Sequence, residues 1–292
     1  MLWPLTPTAP TSGSRPALTI PEASELPLSP KIVLITGSSS GIGRTCAEFL
    51  TDRGFQVVGA SRRSVSDSPW PHVIMDVDDD SSTADGVRQV VRDHGGIDAV
   101  VTCAGWGLAG SVEQTPMADA RAQIETNFFG TVRVVTAALP TLRERHGRIV
   151  IMSSIGGLIG LPFQAYYSAS KFALEGWAEA MAWEVKPFGV EVTLIEPGNF
   201  RTGFTMSRRT VGVVGDDPYA QASANAISKM ESDELGGNDP TAVARTVAKV
   251  LNSTRPPRRV SVGPAGERVG VVAKRLLPNR LFEAASASSL GV

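Results

Sequence analysis

The chain has 292 residues, 42% of them apolar, and its 28 Lys and Arg residues almost balance its 29 Asp and Glu residues. A chain of this size can bury one large core, and the balanced charge excludes the basic excess that is typical of nucleic-acid-binding proteins. No apolar run approaches the roughly 20 residues of a spanning helix, and no secretory signal pattern is present, so we expect a cytoplasmic protein without stable membrane insertion.

The first 30 residues are rich in Pro, Thr and Ser. Proline removes backbone donors along the whole segment, so residues 1–30 can form neither a helix nor a paired strand, and we expect a disordered extension. One folded domain is predicted over residues 31–283, followed by a flexible tail over residues 284–292.

From residue 31 onward, short β-branched runs alternate with longer stretches of helical period, which is the pattern of βαβ units and a parallel sheet. The predicted strands span residues 32–36, 56–61, 72–75, 97–102, 148–153, 190–196 and 259–262. The predicted helices span residues 45–52, 84–93, 118–145, 165–185 and 241–251. This order predicts an α/β fold with a single Rossmann-type, doubly wound parallel sheet and helices on both faces. The polar, Gly-rich stretch 199–240 has the length of a substrate lid or a disordered loop.

A turn rich in Gly and Ser follows the first predicted strand and opens the first helix. Glycines at such a turn let backbone N–H groups approach a pyrophosphate at the helix N-terminus. The predicted cofactor contacts in this turn are Gly37, Ser39, Ser40, Gly41, Ile42 and Gly43. The strand before the turn and the helix after it favour a dinucleotide site over an ordinary surface turn.

The end of the second predicted strand carries Ser61, Arg62 and Arg63, at the distance from the glycines where an NAD site has a carboxylate on the ribose 2′-OH. No carboxylate is present here, and a guanidinium matches the charge and geometry of a 2′-phosphate. We therefore predict NADP as the cofactor, the alternative being solvated arginines at a strand end. Asp76, which could accept from the adenine amino group, and Val77 are predicted cofactor contacts after the third strand.

Tyr167 and Lys171 lie four residues apart in a predicted helix, so the Lys171 ammonium can lie near the Tyr167 phenol. Tyr166 is rotated by about 140° from Lys171 in a helix of 3.6 residues per turn. A nearby cation stabilises the phenolate and would lower the pKa of Tyr167 from its ordinary value of about 10 toward the pH of acid-base catalysis. The alternative is an ordinary amphipathic pair.

Two adjacent serines, Ser153 and Ser154, end the fifth predicted strand. The carboxyl edge of a doubly wound sheet is where ligands bind, so a hydroxyl at this position could face Tyr167. Such a hydroxyl would hydrogen-bond the substrate oxygen and stabilise the charge that develops during hydride transfer.

Several of these motifs together resemble the short-chain dehydrogenase/reductase family over residues 31–251. The motifs are the glycine turn, Asn127 in Asn-Phe-Phe-Gly, Ser154, the pair Tyr167 and Lys171, and Pro197-Gly198. In this family the serine lies thirteen residues before the tyrosine, which selects Ser154 over Ser153. The resemblance implies that Asn127 holds a water in a proton relay to Lys171, and that Lys171 also contacts the nicotinamide ribose.

The resemblance implies further cofactor contacts, among them Thr202 to the carboxamide. The others are Cys103, Ala104, Gly105, Pro197, Gly198 and Phe200. One motif departs from the family, because Thr102-Cys103-Ala104-Gly105 stands where Asn-Asn-Ala-Gly is common, so a side-chain amide that braces the central strand is missing.

The two cysteines, Cys46 and Cys103, are far apart in the sequence, follow no metal-ligand spacing and are too few for a disulfide framework. We therefore predict a reducing compartment and no metal site. Nothing beside Cys103 suggests an activated thiolate, so this residue is interpreted as a packing residue.

Longer matches over residues 154–163, 168–176 and 187–192 resemble the branch of the family that contains 17β-hydroxysteroid dehydrogenase type 1 and retinol dehydrogenases. Those enzymes act on bulky apolar alcohols or ketones, so the predicted substrate is a small hydrophobic carbonyl or alcohol that contacts Ser154 and Tyr167. Apolar residues that suit either a pocket wall or the core are Trp106, Leu108, Leu158, Leu161, Pro162 and Phe163.

Two other functions remain open. A keto-reductase that acts on a carrier-linked thioester shares every catalytic residue, and a non-catalytic NADP-sensing protein would keep the fold without needing the serine, tyrosine and lysine together. Relatives assemble through helices matching 118–145 and 165–185, so the resemblance implies a homodimer or homotetramer. Segment 271–282 is interpreted as packing over the substrate cleft or a neighbouring subunit, with contact to a membrane surface as the alternative.

Overall fold

The computed structural model describes residues 31–211, 217–278 and 280–282. The predicted N-terminal extension, the C-terminal tail and part of the predicted lid lie outside these residues. The strands are β1 (Ile32–Thr36), β2 (Gln56–Ser61), β3 (His72–Ile74), β4 (Ala99–Thr102), β5 (Leu108–Ala109), β6 (Arg148–Met152), β7 (Glu191–Pro197), β8 (Arg209–Thr210) and β9 (Arg259–Val262). The α-helices are α1 (Gly41–Thr51), α2 (Asp80–His94), α3 (Met117–Ile124), α4 (Gly130–Glu144), α5 (Ala165–Val185), α6 (Phe204–Ser207), α7 (Ala220–Leu235), α8 (Thr241–Asn252) and α9 (Ala265–Leu276).

Seven strands form one parallel sheet in the order β3-β2-β1-β4-β6-β7-β9. The order runs outward from β1 on one side and from β4 on the other, so the connections reverse between these two central strands. A reversal of this kind leaves a crevice at the carboxyl ends of the strands, where ligands bind in open α/β sheets. The predicted doubly wound sheet is therefore confirmed.

Side-chain alternation along β1 explains why the sheet is covered on both faces. Ile32 and Leu34 pack into a core cluster with α2, α4 and α5, whereas Val33 and Ile35 pack into a second cluster with α1 and α8. Because successive residues of a strand point to opposite faces, a strand buried on both sides must be apolar throughout. The uninterrupted Ile-Val-Leu-Ile run of β1 meets this requirement.

The predicted helix 118–145 is wrong as one continuous helix. A π turn at Glu125–Phe129 separates α3 from α4. A π turn inserts one residue into a helix and is frequent at functional sites. The helical period of the sequence continues on both sides of the insertion, which is why the pattern did not reveal it. This turn carries Asn127.

The starts of α1 and α2 were also predicted too late, whereas those of α5 and α8 agree with the structure. α2 begins at Asp80 because the Asp79 carboxylate accepts the Ser82 backbone N–H at 2.6 Å, which satisfies one of the donors left free in a first helical turn. α1 begins at Gly41, directly after an extended Ser40. Both first turns are polar or glycine-rich, so the apolar spacing that predicted the helices begins only later.

The stretch 199–240 contains regular structure in its described parts, residues 199–211 and 217–240. It contains α6, β8 and α7, and β8 pairs with β5 in a separate two-stranded parallel ladder. Its two ends meet, since the Arg201 N–H donates to the Asn238 carbonyl at 3.0 Å and the Asn238 N–H donates to the Asn199 carbonyl at 3.1 Å. None of the helices in the described ranges is long and apolar enough to cross a bilayer.

Candidate active site

A cavity of about 1090 Å³ lies along the carboxyl ends of the seven strands of the main sheet. Every residue predicted to contact the cofactor lines it, namely Gly37, Ser39, Ser40, Gly41, Ile42, Gly43, Ser61, Arg62, Asp76, Val77, Cys103, Ala104, Gly105, Tyr167, Lys171, Pro197, Gly198, Phe200 and Thr202. Ser154 lines it as well. Asn127, 1% exposed, lies outside this lining.

The glycine turn is shaped to approach a ligand closely. Gly37 has a φ of +67°, and a Cβ there would lie 2.8 Å from the Ala104 nitrogen, while a Cβ on Gly43 would overlap the Gly37 carbonyl. Gly41, at the first position of α1, has a φ of +55°. These glycines bring the end of β1, the start of α1 and the loop after β4 together, so the N-terminus of α1 faces the cavity as a dinucleotide pyrophosphate requires.

Ser61 and Arg62 lie at the end of the cavity reached from β2. The Ser61 hydroxyl donates to the Arg63 carbonyl at 2.7 Å and lies 3.0 Å from His72 Nε2, so it holds the loop that follows the strand. Arg62 is exposed, and within the described ranges its guanidinium enters no salt bridge. Its positive charge is therefore available to a ligand at this end.

Asp78 also lines this end of the cavity and was missed in the sequence. Burial raises the pKa of its carboxyl group, while a hydrogen bond from Thr126 at 2.9 Å and the charge of Arg62 act in the opposite direction. The residue lies in a turn two positions after Asp76. No local motif distinguishes it from the other aspartates of that turn.

Tyr167, Lys171 and Ser154 come together at the centre of the cavity. The Lys171 Nζ lies 5.8 Å from the centroid of the Tyr167 ring and donates to the Met152 carbonyl at 2.9 Å. The Ser154 hydroxyl accepts the Gly156 N–H at 3.0 Å, which holds the serine at the end of β6. Tyr166 is half-buried and lies outside the described cavity lining, in agreement with the helical rotation used to choose Tyr167.

The predicted lowering of the Tyr167 pKa is wrong for the protein alone. Burial raises the pKa of Tyr167, and the opposing effect of the Ser154 hydroxyl does not reverse this. Burial also lowers the pKa of Lys171 to about 8. Because removal from water disfavours both charged forms, burial keeps the phenol protonated and makes the lysine ammonium easier to deprotonate.

Asn127 connects the loop after β4 to α5. Its Oδ1 accepts the Trp106 N–H at 3.0 Å, and its Nδ2 donates to the Trp106 carbonyl and to the Ser170 Oγ, each at 3.1 Å. Ser170 in turn donates to the Tyr167 carbonyl at 2.6 Å. Asn127 thus supplies a side-chain amide beside the loop where the family's bracing asparagine is missing. The predicted water relay through Asn127 stays a prediction.

The two cysteines are brought together by the fold. Cys46 belongs to the core cluster under α1 and α8, and the half-buried Cys103 packs against that cluster. The Cys103 thiol raises the pKa of Cys46 by hydrogen bonding, as does burial. Their separation in the sequence gave no indication of this contact. Both are free thiols. Among the described residues, no group of three His, Cys, Asp or Glu side chains is placed to hold a metal ion.

Only part of the suggested apolar wall lines the cavity. Trp106 and Leu161 do so, whereas the described lining does not include Leu108, Leu158, Pro162 and Phe163. Apolar residues missed in the sequence lie beside them, namely Ile155, Ile159, Phe204, Met230 and Phe282. Spacing in the sequence does not distinguish a side chain that faces a cavity from one that faces the core.

The segment 204–208, which consists of α6 and the residue after it, packs over Tyr167 and is held by a buried ion pair. Arg208, directly after α6, pairs with Glu234 of α7, and Thr205 donates to the same carboxylate. Phe204 packs edge-on against Tyr167 with the ring centroids 5.9 Å apart. Glu234 lines the cavity with Lys229, Met230 and Asp233. These residues were missed because 220–235 was not predicted to be helical.

α9 closes the cavity beside Pro197-Gly198. The Glu267 carboxylate accepts from the Asn199 backbone N–H at 3.0 Å and from its Nδ2 at 2.6 Å, and a Cβ on Gly198 would overlap this carboxylate. Lys274 donates to the Leu158 carbonyl at 2.5 Å, and Phe282 lines the cavity. These contacts favour packing beside the substrate cleft as the interpretation of segment 271–282.

Comparison with known proteins places this chain in a family. The family model for short chain dehydrogenases matches residues 31–211. The chain is 37% identical to a 3-ketodihydrosphingosine reductase of Bacteroides thetaiotaomicron over 259 residues, 88% of this chain and 96% of the relative. It is 35% identical to retinol dehydrogenase 8 of Bos taurus, over 79% of this chain and 80% of the relative, and 38% identical to 17-beta-hydroxysteroid dehydrogenase type 1 of Mus musculus, over 61% and 56%.

A solved structure shares both the fold and part of the sequence. A short-chain dehydrogenase from Streptomyces avermitilis superimposes with a TM-score of 0.75 and 29% identity, covering 90% of this chain and 98% of that chain. The resemblance drawn from the glycine turn and the Tyr167 and Lys171 pair is therefore confirmed, including its branch. The chain belongs to the short-chain dehydrogenase/reductase family of oxidoreductases.

Proposed function

We propose that this protein is an NADP(H)-dependent oxidoreductase that interconverts a carbonyl and an alcohol on a hydrophobic substrate. The observation that carries the proposal is the meeting of Ser154, Tyr167 and Lys171 in the same cavity as the glycine turn. A phenol, a hydroxyl and a buried ammonium are the groups that proton transfer to a reacting oxygen requires. A protein that only senses NADP has no need for all three.

Each of these side chains has a role in the proposed reaction. The bound nicotinamide cofactor supplies or accepts the hydride. Ser154 donates a hydrogen bond to the substrate oxygen, and Tyr167, kept protonated by burial, gives its proton to that oxygen during reduction. The Lys171 ammonium stabilises the phenolate that forms. Asn127 lies behind the cavity wall and holds the water of a relay that returns a proton through Lys171.

NADP is proposed as the cofactor because of charge at the β2 end of the cavity. Arg62 and Arg63 both line it, and no carboxylate stands at position 61 to repel a 2′-phosphate. The glycine turn fits the pyrophosphate shared by both dinucleotides, so the choice between them depends on this end. The carbonyl-reducing direction with NADPH is the one a protonated Tyr167 favours.

A bulky or long-chain substrate is supported by the cavity lining. Trp106, Leu161, Phe204 and Met230 place apolar surface near Tyr167. The relatives carry names that refer to a ketosphingoid base, a retinoid and a steroid, all of them large apolar molecules. A sphingoid ketone, a steroid ketone and retinal are thus the substrates to examine first.

A homodimer or homotetramer remains a prediction, supported by exposed aromatic side chains. Phe129 in the π turn, Phe172 and Trp183 are each more than two-fifths exposed, on the helices through which relatives are expected to assemble. Size-exclusion chromatography with light scattering measures the assembly directly. Cytoplasmic placement and action on a carrier-linked thioester likewise stay predictions.

The test of substrate class follows NADPH oxidation over a panel of ketones of equal reactivity and increasing size. Each pocket contact of about one methylene contributes roughly 1–3 kcal/mol, so a bulky ketone should exceed a small one in kcat/KM by at least about tenfold. The same acyl ketone, free and linked to a carrier protein, separates a free-ketone reductase from the thioester alternative. Equal efficiency for an acetone-sized ketone and a polycyclic one would contradict the hydrophobic substrate.

A further inference from the structure

A third buried ionisable residue continues the line of Tyr167 and Lys171 along α5. Glu175 follows Lys171 by four residues, and each step of four advances a helix by about 6 Å while rotating it by only about 40°. All three side chains are buried, Glu175 with 6% exposure. The carboxylate therefore lies one turn beyond the ammonium, on nearly the same side of the helix. Neither the sequence motifs nor the proposed reaction assigns it a role.

The Glu175 carboxylate is only partly satisfied. Its Oε2 accepts from the Arg259 Nε at 2.9 Å, and its Oε1 is buried without a hydrogen-bond partner among the described residues. A buried carboxylate with an unpaired oxygen is costly, so packing or hydrogen bonding alone does not account for a glutamate at this position.

Arg259 is shared among several carboxyl groups. It donates from Nη2 to Glu179 at 2.6 Å and lies 3.8 Å from the Oε1 of the buried Glu196, whose other oxygen accepts from Ser261 at 2.5 Å. Three carboxyl groups thus surround a single guanidinium. Burial raises the pKa of Glu196, and the charges of Arg259 and Arg275 act against this shift. Lys171 is the cation that precedes Glu175 by one turn along α5.

The buried Lys171 ammonium needs a nearby negative charge. Burial lowers its pKa to about 8, and the groups that act against this are Cys103, at the end of β4, and Glu175. Its ammonium donates to the Met152 carbonyl, which is a neutral acceptor. Tyr167 lies one turn before Lys171, but its phenol is protonated and therefore has no negative charge to attract the ammonium. Among the described residues, Glu175 is therefore the carboxylate that acts on this ammonium.

We propose that Glu175 is a positioning residue of the reaction, whose carboxylate keeps the Lys171 side chain in its ammonium form for proton transfer at Tyr167. The inference rests on the proposed function and extends it. The hydrogen bond from Arg259 holds the carboxylate in place. The carboxylate itself touches neither substrate nor cofactor and acts through Lys171.

The direction of the effect follows from the charges. The Lys171 ammonium is lost as the pH rises through the lysine pKa. Replacing Glu175 with Gln removes the attraction but leaves the burial, so the ammonium is lost at a lower pH. An opposite charge at a distance of about one helical turn shifts a titration by about one pH unit or more.

The test first measures the titration of Lys171 by NMR and then the pH dependence of turnover. The full-length protein is labelled with 13C at the lysine ε carbon. The Lys171 signal is assigned by its absence in Lys171→Met. It is then titrated with pH in wild type and in Glu175→Gln. We expect the midpoint to fall by about one pH unit. The high-pH limb of kcat for ketone reduction should fall by the same amount, with near wild-type turnover restored on the acid side. Glu175→Asp, which keeps the charge, should return both toward wild type.

Glu179→Gln is the matched control. Glu179 lies on the same helix and contacts the same Arg259, but its side chain is 62% exposed. This variant should leave the Lys171 midpoint and the pH profile unchanged. A wild-type midpoint in Glu175→Gln would overturn the proposal. Should that variant not fold, a midpoint in Glu175→Asp that lies about one pH unit or more below wild type, although the charge is kept, would overturn it instead. The NMR titration needs no substrate, so absent ketone reduction in wild type would contradict the proposed function alone.

Discussion

The two ends of the cavity are built from different parts of the chain. Around the glycine turn, the wall consists of backbone and small residues at strand ends, held by the pairing of the sheet itself. Over Tyr167, the wall consists of side chains from α6, α7 and α9. Arg208 and Glu234 join the α6 segment to α7, and Glu267 holds α9 against Asn199. The first end is as rigid as the sheet, whereas the second depends on a few side-chain contacts.

This contrast explains how one framework can serve different substrates. A dinucleotide presents the same pyrophosphate to every member of the family, so backbone N–H groups and glycines can bind it in each of them. A substrate differs between members, and a wall of side chains on a separate segment can change without disturbing the sheet. Variants at the two ends should therefore separate cofactor binding from substrate turnover.

The largest expected effect lies where the two ends meet. Tyr167→Phe removes the proton donor, so we expect kcat to fall by about two to four powers of ten while the Kd for NADPH stays nearly unchanged, as measured by stopped-flow turnover and fluorescence titration. Tyr166→Phe, one residue away and outside the cavity, should retain wild-type turnover. A dead Tyr166→Phe enzyme together with an active Tyr167→Phe enzyme would reverse the assignment.

The next effect concerns the cofactor end alone. Ser61→Asp combined with Arg62→Ala removes the attraction for a 2′-phosphate and installs repulsion, so KM for NADPH should rise by about ten- to a hundredfold while kcat with NADH is kept. The wild-type preference should shrink as ionic strength increases, because the contact is exposed. Arg53→Ala, on the far end of α1, serves as the exposed-arginine control. Equal kcat/KM for NADH and NADPH in wild type at low salt would exclude Arg62 as the determinant.

The smallest effect concerns the substrate end. Arg208→Met leaves Glu234 with the Thr205 hydroxyl but without its ion-pair partner, and because removing one partner of a buried ion pair is costly, the segment should open locally. We expect a several-fold rise in substrate KM and faster hydrogen exchange in residues 201–211 and 217–235, with the Kd for NADPH within about twofold of wild type. Arg255→Met, at an exposed arginine outside the cavity lining, is the control. Loss of NADPH affinity comparable to the loss of substrate affinity would show that the two ends are not independent.

The sequence was sufficient for the end of the cavity that is built at strand ends. Gly37, Gly41 and Gly43 occupy positions where φ or close packing admits no side chain, and the four-residue step from Tyr167 to Lys171 is a property of any α-helix. Parallel strands bring their carboxyl ends to one edge, so residues after each strand could be placed together before the fold was seen. These constraints are local or follow from the sheet alone.

Tertiary structure decided what depends on residues distant in the sequence. The hydrogen bonds of Asn127, the contact of Cys46 with Cys103, and the sharing of Arg259 between Glu175 and Glu179 each join elements that have no common spacing. The pKa of Tyr167 was predicted in the wrong direction because the motif reveals a neighbouring cation but not the burial that outweighs it. Periodicity records which way a side chain points along its own element, whereas burial and charge pairing depend on what the other elements bring against it.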